Sequence, residues 1–79
     1  MKQIVVILGG VERPVRVSSQ ASCARLSYEL LINYSYDPAL NWQLKGADGV
    51  ILSRDEPASA AYELHGGPFY LSLAPGTNA

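Results

Sequence analysis

The feature that most constrains this fold is a glycine pair, Gly9-Gly10, standing between two strand-like runs, 2–8 and 11–17. Glycine accepts the positive φ angles that a two-residue hairpin turn requires. The first run is apolar on both faces, as is typical of a central strand. The second contains Pro14, which cannot donate a hydrogen bond to a neighbouring strand, so we expect that strand at a sheet edge. The chain therefore opens with a predicted β-hairpin.

The next segment has the pattern of a helix. Residues 19–34 contain neither glycine nor proline, and Ser18 and Ser19 are candidate N-caps. Several apolar residues fall near one stripe at helical spacing: Cys23, Ala24, Leu30 and Leu31. We predict one long helix over 19–34 that packs on the hairpin and ends before Asp37-Pro38.

The rest of the chain predicts short strands and a short helix. Residues 42–45 and 50–52 are short strand candidates on either side of a glycine turn. Pro57, followed by a run of small residues, predicts one or two helical turns over 58–64. The alternating segment 69–73 predicts a last strand. A hairpin, one long helix and further strands indicate an α+β fold in which a sheet of four to five strands packs on that helix.

Alternation along the strands also separates a core from an outer face. The predicted core comprises Ile4, Val6, Val15, Val17, Leu31, Trp42, Leu44, Phe69 and Leu71. Val5 and Ile7 then point outward, with Tyr70 beside them, and exposed apolar residues on a small domain often mark a partner site. The alternatives are that Val5 and Ile7 are there only as good strand formers, or that the chain's tail covers them.

Composition excludes several classes of function. The 79 residues suffice for one domain, and a formal net charge of −1 gives no basic surface for nucleic acid. The longest apolar run, residues 4–8, is far shorter than the ~20 residues that span a bilayer. One cysteine cannot form an internal disulfide. We therefore expect a soluble cytoplasmic protein.

We find no pattern that predicts catalysis, a metal site or a cofactor. His65 is the single histidine and adjoins a glycine turn, where a structural or solvent-exposed role is expected. Cys23 lies on the apolar helix stripe, which predicts a buried side chain rather than a nucleophile. Asp55 and Glu56 are adjacent and point apart on an extended chain. We expect no enzymatic activity.

In order and spacing, these segments resemble ubiquitin and its relatives over nearly the whole chain. The opening QIVVILGG of residues 3–10 resembles the first hairpin of that family. WQL at 42–44, followed by GADGVIL at 46–52, resembles the strand, Asp-Gly turn and short strand after the helix. Residues 58–73 resemble the short helix, glycine turn and final strand. The small bacterial ubiquitin-like proteins that occur with ubiquitin-type activating and conjugating enzymes are especially similar.

This resemblance implies a ubiquitin-like β-grasp domain over residues 1–73. In that family the sheet is mixed, because the first and last strands pair in parallel at its centre. The resemblance therefore implies that Ile4 and Val6 pack inward beside Phe69 and Leu71.

The resemblance also implies a flexible C-terminal tail over 74–79. In conjugated relatives the tail ends in two glycines, which fit the narrow channel of an activating enzyme. Here Gly76 is single, and Thr77 and Asn78 occupy the place of the paired glycines. We expect processing after Gly76, with Asn78 as the second choice.

Two functions of different classes follow from the resemblance. The first is a protein modifier, with an activating enzyme, a conjugating enzyme and a processing protease as partners. The alternative is a non-covalent adaptor that docks through Val5, Ile7 and Tyr70. A sulfur carrier is a third option, but its chemistry needs a terminal glycine. The positions that match ubiquitin's apolar patch, Gln43, Tyr70 and Ser72, are more polar here.

Overall fold

The predicted hairpin is present in the computed structural model, which describes residues 2–75. Strand β1 (Lys2–Leu8) pairs antiparallel with β2 (Val11–Val17). Gly9 and Gly10 have φ angles of 62° and 78°, which non-glycine residues rarely adopt. The glycine pair therefore sets both the turn and the register of the first two strands.

Two later strands complete a four-stranded mixed sheet with the order β2-β1-β4-β3. Strand β3 spans Trp42–Lys45 and β4 spans Phe69–Leu73. β1 and β4 run parallel at the centre, whereas the two outer pairs are antiparallel. In the central pair Val6 lies beside Phe69, as the family resemblance implied, and Leu71 lies beside Leu8.

The edges of this sheet differ from the prediction in one respect. Residues 50–52 were predicted as a short strand, but only an isolated bridge joins Ile51 to Lys45, so the sheet has four strands, the lower of the two numbers predicted. β2 lies at the opposite edge, as Pro14 predicted.

Helix α1 (Cys23–Asn33) covers one face of the sheet and is shorter than predicted. Its buried residues are spaced so that they share one side: Cys23, Leu26, Leu30 and Leu31. The N-cap is Ser22, whose Oγ accepts a hydrogen bond from the Arg25 N–H at 3.1 Å. The predicted caps Ser18 and Ser19 are therefore wrong.

The late start of α1 has a tertiary cause. The Ala21 carbonyl accepts a hydrogen bond from the Ala58 N–H at 2.8 Å, and Ser22 bridges Pro57. These contacts hold the chain before Cys23 extended against the start of the second helix. A helix beginning at residue 19 would lose them.

Helix α2 (Ala58–His65) confirms the short helix predicted after Pro57, which serves as its N-cap residue. The helical part of the fold is thus divided between α1 and α2. No helix within residues 2–75 is long and apolar enough to cross a membrane.

The core lies between α1 and the inner face of the sheet. Every predicted core residue belongs to it, although Val15 and Trp42 are only partly buried. The structure adds buried residues that the strand pattern did not include: Leu8, Cys23, Leu26, Leu30, Leu52, Ala58 and Ala61. The fold is therefore a small α+β domain with one hydrophobic core.

Replacing a large core residue on α1 should unfold much of the protein. Leu31 is 2% exposed, so Leu31→Ala leaves a cavity that costs about 2–5 kcal/mol of unfolding free energy. A domain of this size has only ~3–5 kcal/mol in total. Urea denaturation of both proteins measures the difference. Ile32→Ala is the matched control, because Ile32 is 49% exposed and its truncation should cost about 0.5 kcal/mol or less.

Candidate functional site

The sheet face opposite α1 carries the residues predicted to bind partners. Ile7 lies directly beside Tyr70 in the β1–β4 pair. Val5 is two residues before Ile7 and therefore shares its face. Tyr70 is 45% exposed, and Val5 and Ile7 are half-buried. The structure thus brings the three predicted residues together on one surface, here called the outer face.

A single row across the outer face combines apolar and charged side chains. Ile7 pairs with Glu12 on β2, and Tyr70 pairs with Lys45 on β3. The row therefore runs Glu12, Ile7, Tyr70, Lys45, with opposite charges at its two ends. Such a row can place an apolar contact at its centre and fix a partner's orientation through its ends.

The neighbouring rows limit the apolar area. Val5 pairs with Pro14, which extends the apolar surface towards the β2 edge. On the other side Ser72 pairs with Gln43, and both side chains are polar. The apolar part of the outer face is thus small and bordered by polar groups.

Tyr62 of α2 fixes the first strand behind this surface. Its Oη accepts a hydrogen bond from the Val5 N–H at 3.3 Å, and its ring packs edge-on against Phe69 at 5.0 Å between centroids. Gly67 permits this approach, because a Cβ there would overlap the Tyr62 ring. Lys2 adds a 2.8 Å ion pair to Glu63 on the same helix. The outer face therefore rests on a strand held from behind by α2.

The structure confirms the buried position predicted for Cys23, which is 2% exposed. Burial, with a smaller contribution from the negative charge of Glu56, raises the pKa of its thiol to about 11. At neutral pH the sulfur therefore stays protonated, and only the thiolate is a strong nucleophile.

His65 has a structural contact that the sequence did not predict in detail. Its Nδ1 lies 2.8 Å from Asp48 Oδ2. His65 is at the end of α2, and Asp48 is in the turn after β3. Asp48 Oδ1 also accepts from the Val50 N–H at 3.1 Å. Both hydrogen bonds lower the pKa of the Asp48 carboxyl, and the bond to His65 contributes more than the bond from the Val50 N–H. The pair joins the C-terminal end of α2 to the turn that follows β3.

The predicted processing positions, Gly76 and Asn78, lie outside the described residues. Among residues 2–75, no three histidine, cysteine or acidic side chains are grouped to hold a metal ion.

Sequence reasoning did not count Glu12, Pro14 and Lys45 among the docking residues. The first two could have been found, because a two-residue turn at Gly9-Gly10 fixes which residues of β1 and β2 face each other. Lys45 could not, because its position beside Tyr70 depends on how β3 reaches the sheet. In comparisons with known proteins, no family model matches this sequence and no curated protein matches it.

Removing the His65 imidazole should raise the pKa of Asp48 towards its ordinary value of 3.8. His65→Ala is the suitable change, because it keeps the Cβ that packs against Gly46. A carboxyl with a lowered folded-state pKa stabilises the fold above its unfolded-state pKa and loses that effect as pH falls through the lowered value. As pH falls from the unfolded-state pKa of Asp48 through its lowered folded-state pKa, the variant should therefore lose less free energy of unfolding than the wild type.

NMR titration of the side-chain carboxyls measures this change directly. Glu63 is the internal control, because its pKa is lowered by Lys2 and should be the same in both proteins. An Asp48 pKa that does not change in His65→Ala would show that the backbone N–H of Val50, rather than the imidazole, sets it.

Proposed function

We propose that this chain is a ubiquitin-like β-grasp protein that acts as a protein modifier. A protease trims it near its C-terminus, an activating enzyme adenylates the new carboxylate, and a conjugating enzyme transfers it to a target. The chain supplies the carboxylate and the recognition surface, while its partner enzymes supply the catalysis. The mixed sheet with a parallel central pair and a helix across one face supports this proposal, together with the ubiquitin-like order of the sequence segments.

The observation that carries the proposal is the position of the last strand. β4 lies at the sheet centre, parallel to β1, and runs two residues past its last pairing, Leu8 with Leu71. The chain therefore leaves the sheet at the end that holds the Gly9-Gly10 turn, away from α2. Ala74 is still held by a 2.9 Å hydrogen bond from its N–H to the Asn41 carbonyl.

The residues that follow suit recognition by a protease or an activating enzyme. Pro75 fixes its own φ and donates no hydrogen bond, and Gly76 has no side chain to obstruct a narrow channel. A cytoplasmic location fits this chemistry, because a reducing compartment keeps the cysteines of activating and conjugating enzymes as the free thiols that form thioesters with such carboxylates.

Processing after Gly76 is the direct prediction of the modifier proposal. Co-expression with the proteins encoded beside this gene should remove Thr77-Asn78-Ala79, or Ala79 alone if Asn78 is the new end. Gly76→Val should block the first cleavage, because the side chain obstructs the cleft. Mass spectrometry of the intact protein and of its isopeptide-linked products measures both steps. A chain that keeps Ala79 while those enzymes are active would contradict the modifier proposal.

A second candidate, a non-covalent adaptor, is favoured by the outer face itself. The half-exposed Tyr70 stands beside Ile7 between the charges of Glu12 and Lys45, an arrangement suited to docking without any covalent step. This function needs no processing at Gly76. Capture of partners that is the same for the wild type and Gly76→Val would therefore support the adaptor.

Tyr70→Ala tests the outer face in both functions. Removing a half-exposed ring from a cross-strand pair should cost only about 0.2–1 kcal/mol of folding free energy. If the ring anchors a partner, binding should weaken by about 2 kcal/mol or more, roughly thirtyfold. Quantitative mass spectrometry of proteins captured on the immobilised chain, followed by calorimetry with the purified partner, measures this loss.

Tyr28→Ala is the matched control for that experiment. Tyr28 lies on α1, on the opposite layer of the fold, and is 56% exposed. Equal losses from both tyrosine variants would show that the outer face is not the specific docking surface.

A further inference from the structure

The two charges of the outer face do not pair with each other. Glu12 lies on β2 and Lys45 on β3, the two edge strands, with β1 and β4 between them. Neighbouring strands are about 4.8 Å apart, so three strand spacings separate the two backbone positions by roughly 14 Å. The ion pairs within residues 2–75 are Lys2–Glu63, Arg25–Glu29 and His65–Asp48. In this part of the chain, Glu12 and Lys45 are therefore available to a partner.

The order of the row makes it complementary to itself. It runs acidic, apolar, apolar, basic, and its midpoint lies between β1 and β4. Glu12 and Lys45 lie on opposite sides of this midpoint, each about 7 Å from it. A second copy, rotated about a two-fold axis that runs parallel to the strands between the two faces, brings Glu12 opposite Lys45. The same rotation brings Ile7 opposite Tyr70. Each contact then occurs twice, as an isologous interface requires.

Charge excludes the other simple two-fold arrangement. An axis along the row, perpendicular to the strands, would set Glu12 of one copy against Glu12 of the other. It would also set Lys45 against Lys45. Like charges placed opposite each other across an interface cost several kcal/mol and suppress that arrangement. The order of the charges therefore selects the axis parallel to the strands.

The centre of the row supplies the apolar contact of such an interface. Tyr70 is 45% exposed and Ile7 is half-buried. In the two-fold arrangement the Tyr70 ring of each copy covers Ile7 of the other, which removes apolar surface from water. Val5 and Pro14 extend the apolar area on one side of the row. An apolar centre with a polar and charged rim is the usual anatomy of an interface between proteins.

The size of the outer face predicts a weak dimer. Four strands about 4.8 Å apart give a width of about 19 Å, and a strand as long as β1, with seven residues, spans about 23 Å. The outline of the face is therefore at most about 440 Å² on each copy, or about 900 Å² for the two together. Stable complexes bury about 1,200–2,000 Å². We therefore expect a dimer that dissociates on dilution.

We propose that the outer face binds a second copy of this chain and forms a weak two-fold dimer. Two Glu12–Lys45 ion pairs fix the orientation of the copies, and Ile7 and Tyr70 of both copies form the apolar centre. The dimer gives the outer face a defined partner, so it rests on the docking role proposed above but does not require conjugation. A different protein that docks on this face has to displace the second copy.

Sedimentation equilibrium of the purified full chain measures the dimer. The average mass should rise towards twice the monomer mass between about 10 μM and 1 mM protein. Glu12→Lys and Lys45→Glu should each raise the dissociation constant about tenfold or more, because each change turns attraction into repulsion at two contacts. Glu29→Lys is the matched control for Glu12→Lys. It makes the same charge change at an exposed position of α1, on the opposite layer, and should leave the dimer unchanged.

Mixing the two charge variants tests the two-fold order itself. Glu12→Lys has a positive charge at both ends of its row, and Lys45→Glu has a negative charge at both ends. An equimolar mixture should therefore form a heterodimer about as stable as the wild-type dimer, and its formation also shows that both variants fold. A chain carrying both changes should dimerise like the wild type. Should either variant fail to fold, Tyr70→Ala gives a second test, because it removes the ring that covers Ile7 of the other copy.

Three outcomes would overturn the dimer. The first is a chain that stays monomeric up to about 1 mM. The second is self-association that Glu12→Lys changes no more than Glu29→Lys does. The third is a loss of self-association in both charge variants that mixing does not restore, because Glu12 and Lys45 would then not face each other. A monomeric chain from which Tyr70→Ala still releases a captured protein would exclude the dimer and leave the adaptor function in place.

Discussion

The parallel pairing of β1 with β4 supports the rest of this structure. It joins β1 to β4, the first and last strands of residues 2–75. The elements between them in sequence must therefore bring the chain back beside β1. Ile4, Val6 and Phe69 on these strands are fully buried, and α1 packs over them. Parallel strands are usually packed against other elements of the fold. This explains why the helix layer lies across the central pair.

The two helices have different tasks around that pair. α1 supplies most of the helical contribution to the core. α2 fixes the start of the central strands, because Tyr62 bonds the backbone of Val5 and packs on Phe69. The parallel pairing also places Leu73, the last residue of β4, at the end of the sheet away from α2. The anchored end and the departing end of the central strands are therefore opposite ends of the sheet.

The outer face follows from the same topology. The outer face exists because the helices cover only one side of the sheet, leaving Ile7 and Tyr70 on the other. Residues 50–52 pair with the β3 end of the sheet only through the bonds of the Leu52 N–H to the Leu44 carbonyl and of the Gly46 N–H to the Val50 carbonyl, so the sheet remains four-stranded.

Local rules allowed the sequence alone to predict several elements. Gly9 and Gly10 determined the hairpin, because two positive φ angles select a two-residue turn. Strict alternation of apolar and polar residues determined 69–73 as a strand, and the missing N–H of Pro14 determined an edge. The common face of Val5, Ile7 and Tyr70 was also predicted. For Tyr70 that prediction required the parallel pairing of the first and last strands, which the family resemblance implied.

Only the tertiary structure decided the features that depend on contacts distant in sequence. Helix α1 begins at Cys23 because Ala21 bonds Ala58, thirty-seven residues further along the chain (58 − 21), and no local cap preference encodes that bond. The same holds for Lys45 beside Tyr70 and for His65 opposite Asp48. Each arises where segments distant in sequence pack together. The free energy of these tertiary contacts outweighs local conformational preferences, which amount to a few tenths of a kcal/mol to about 1 kcal/mol.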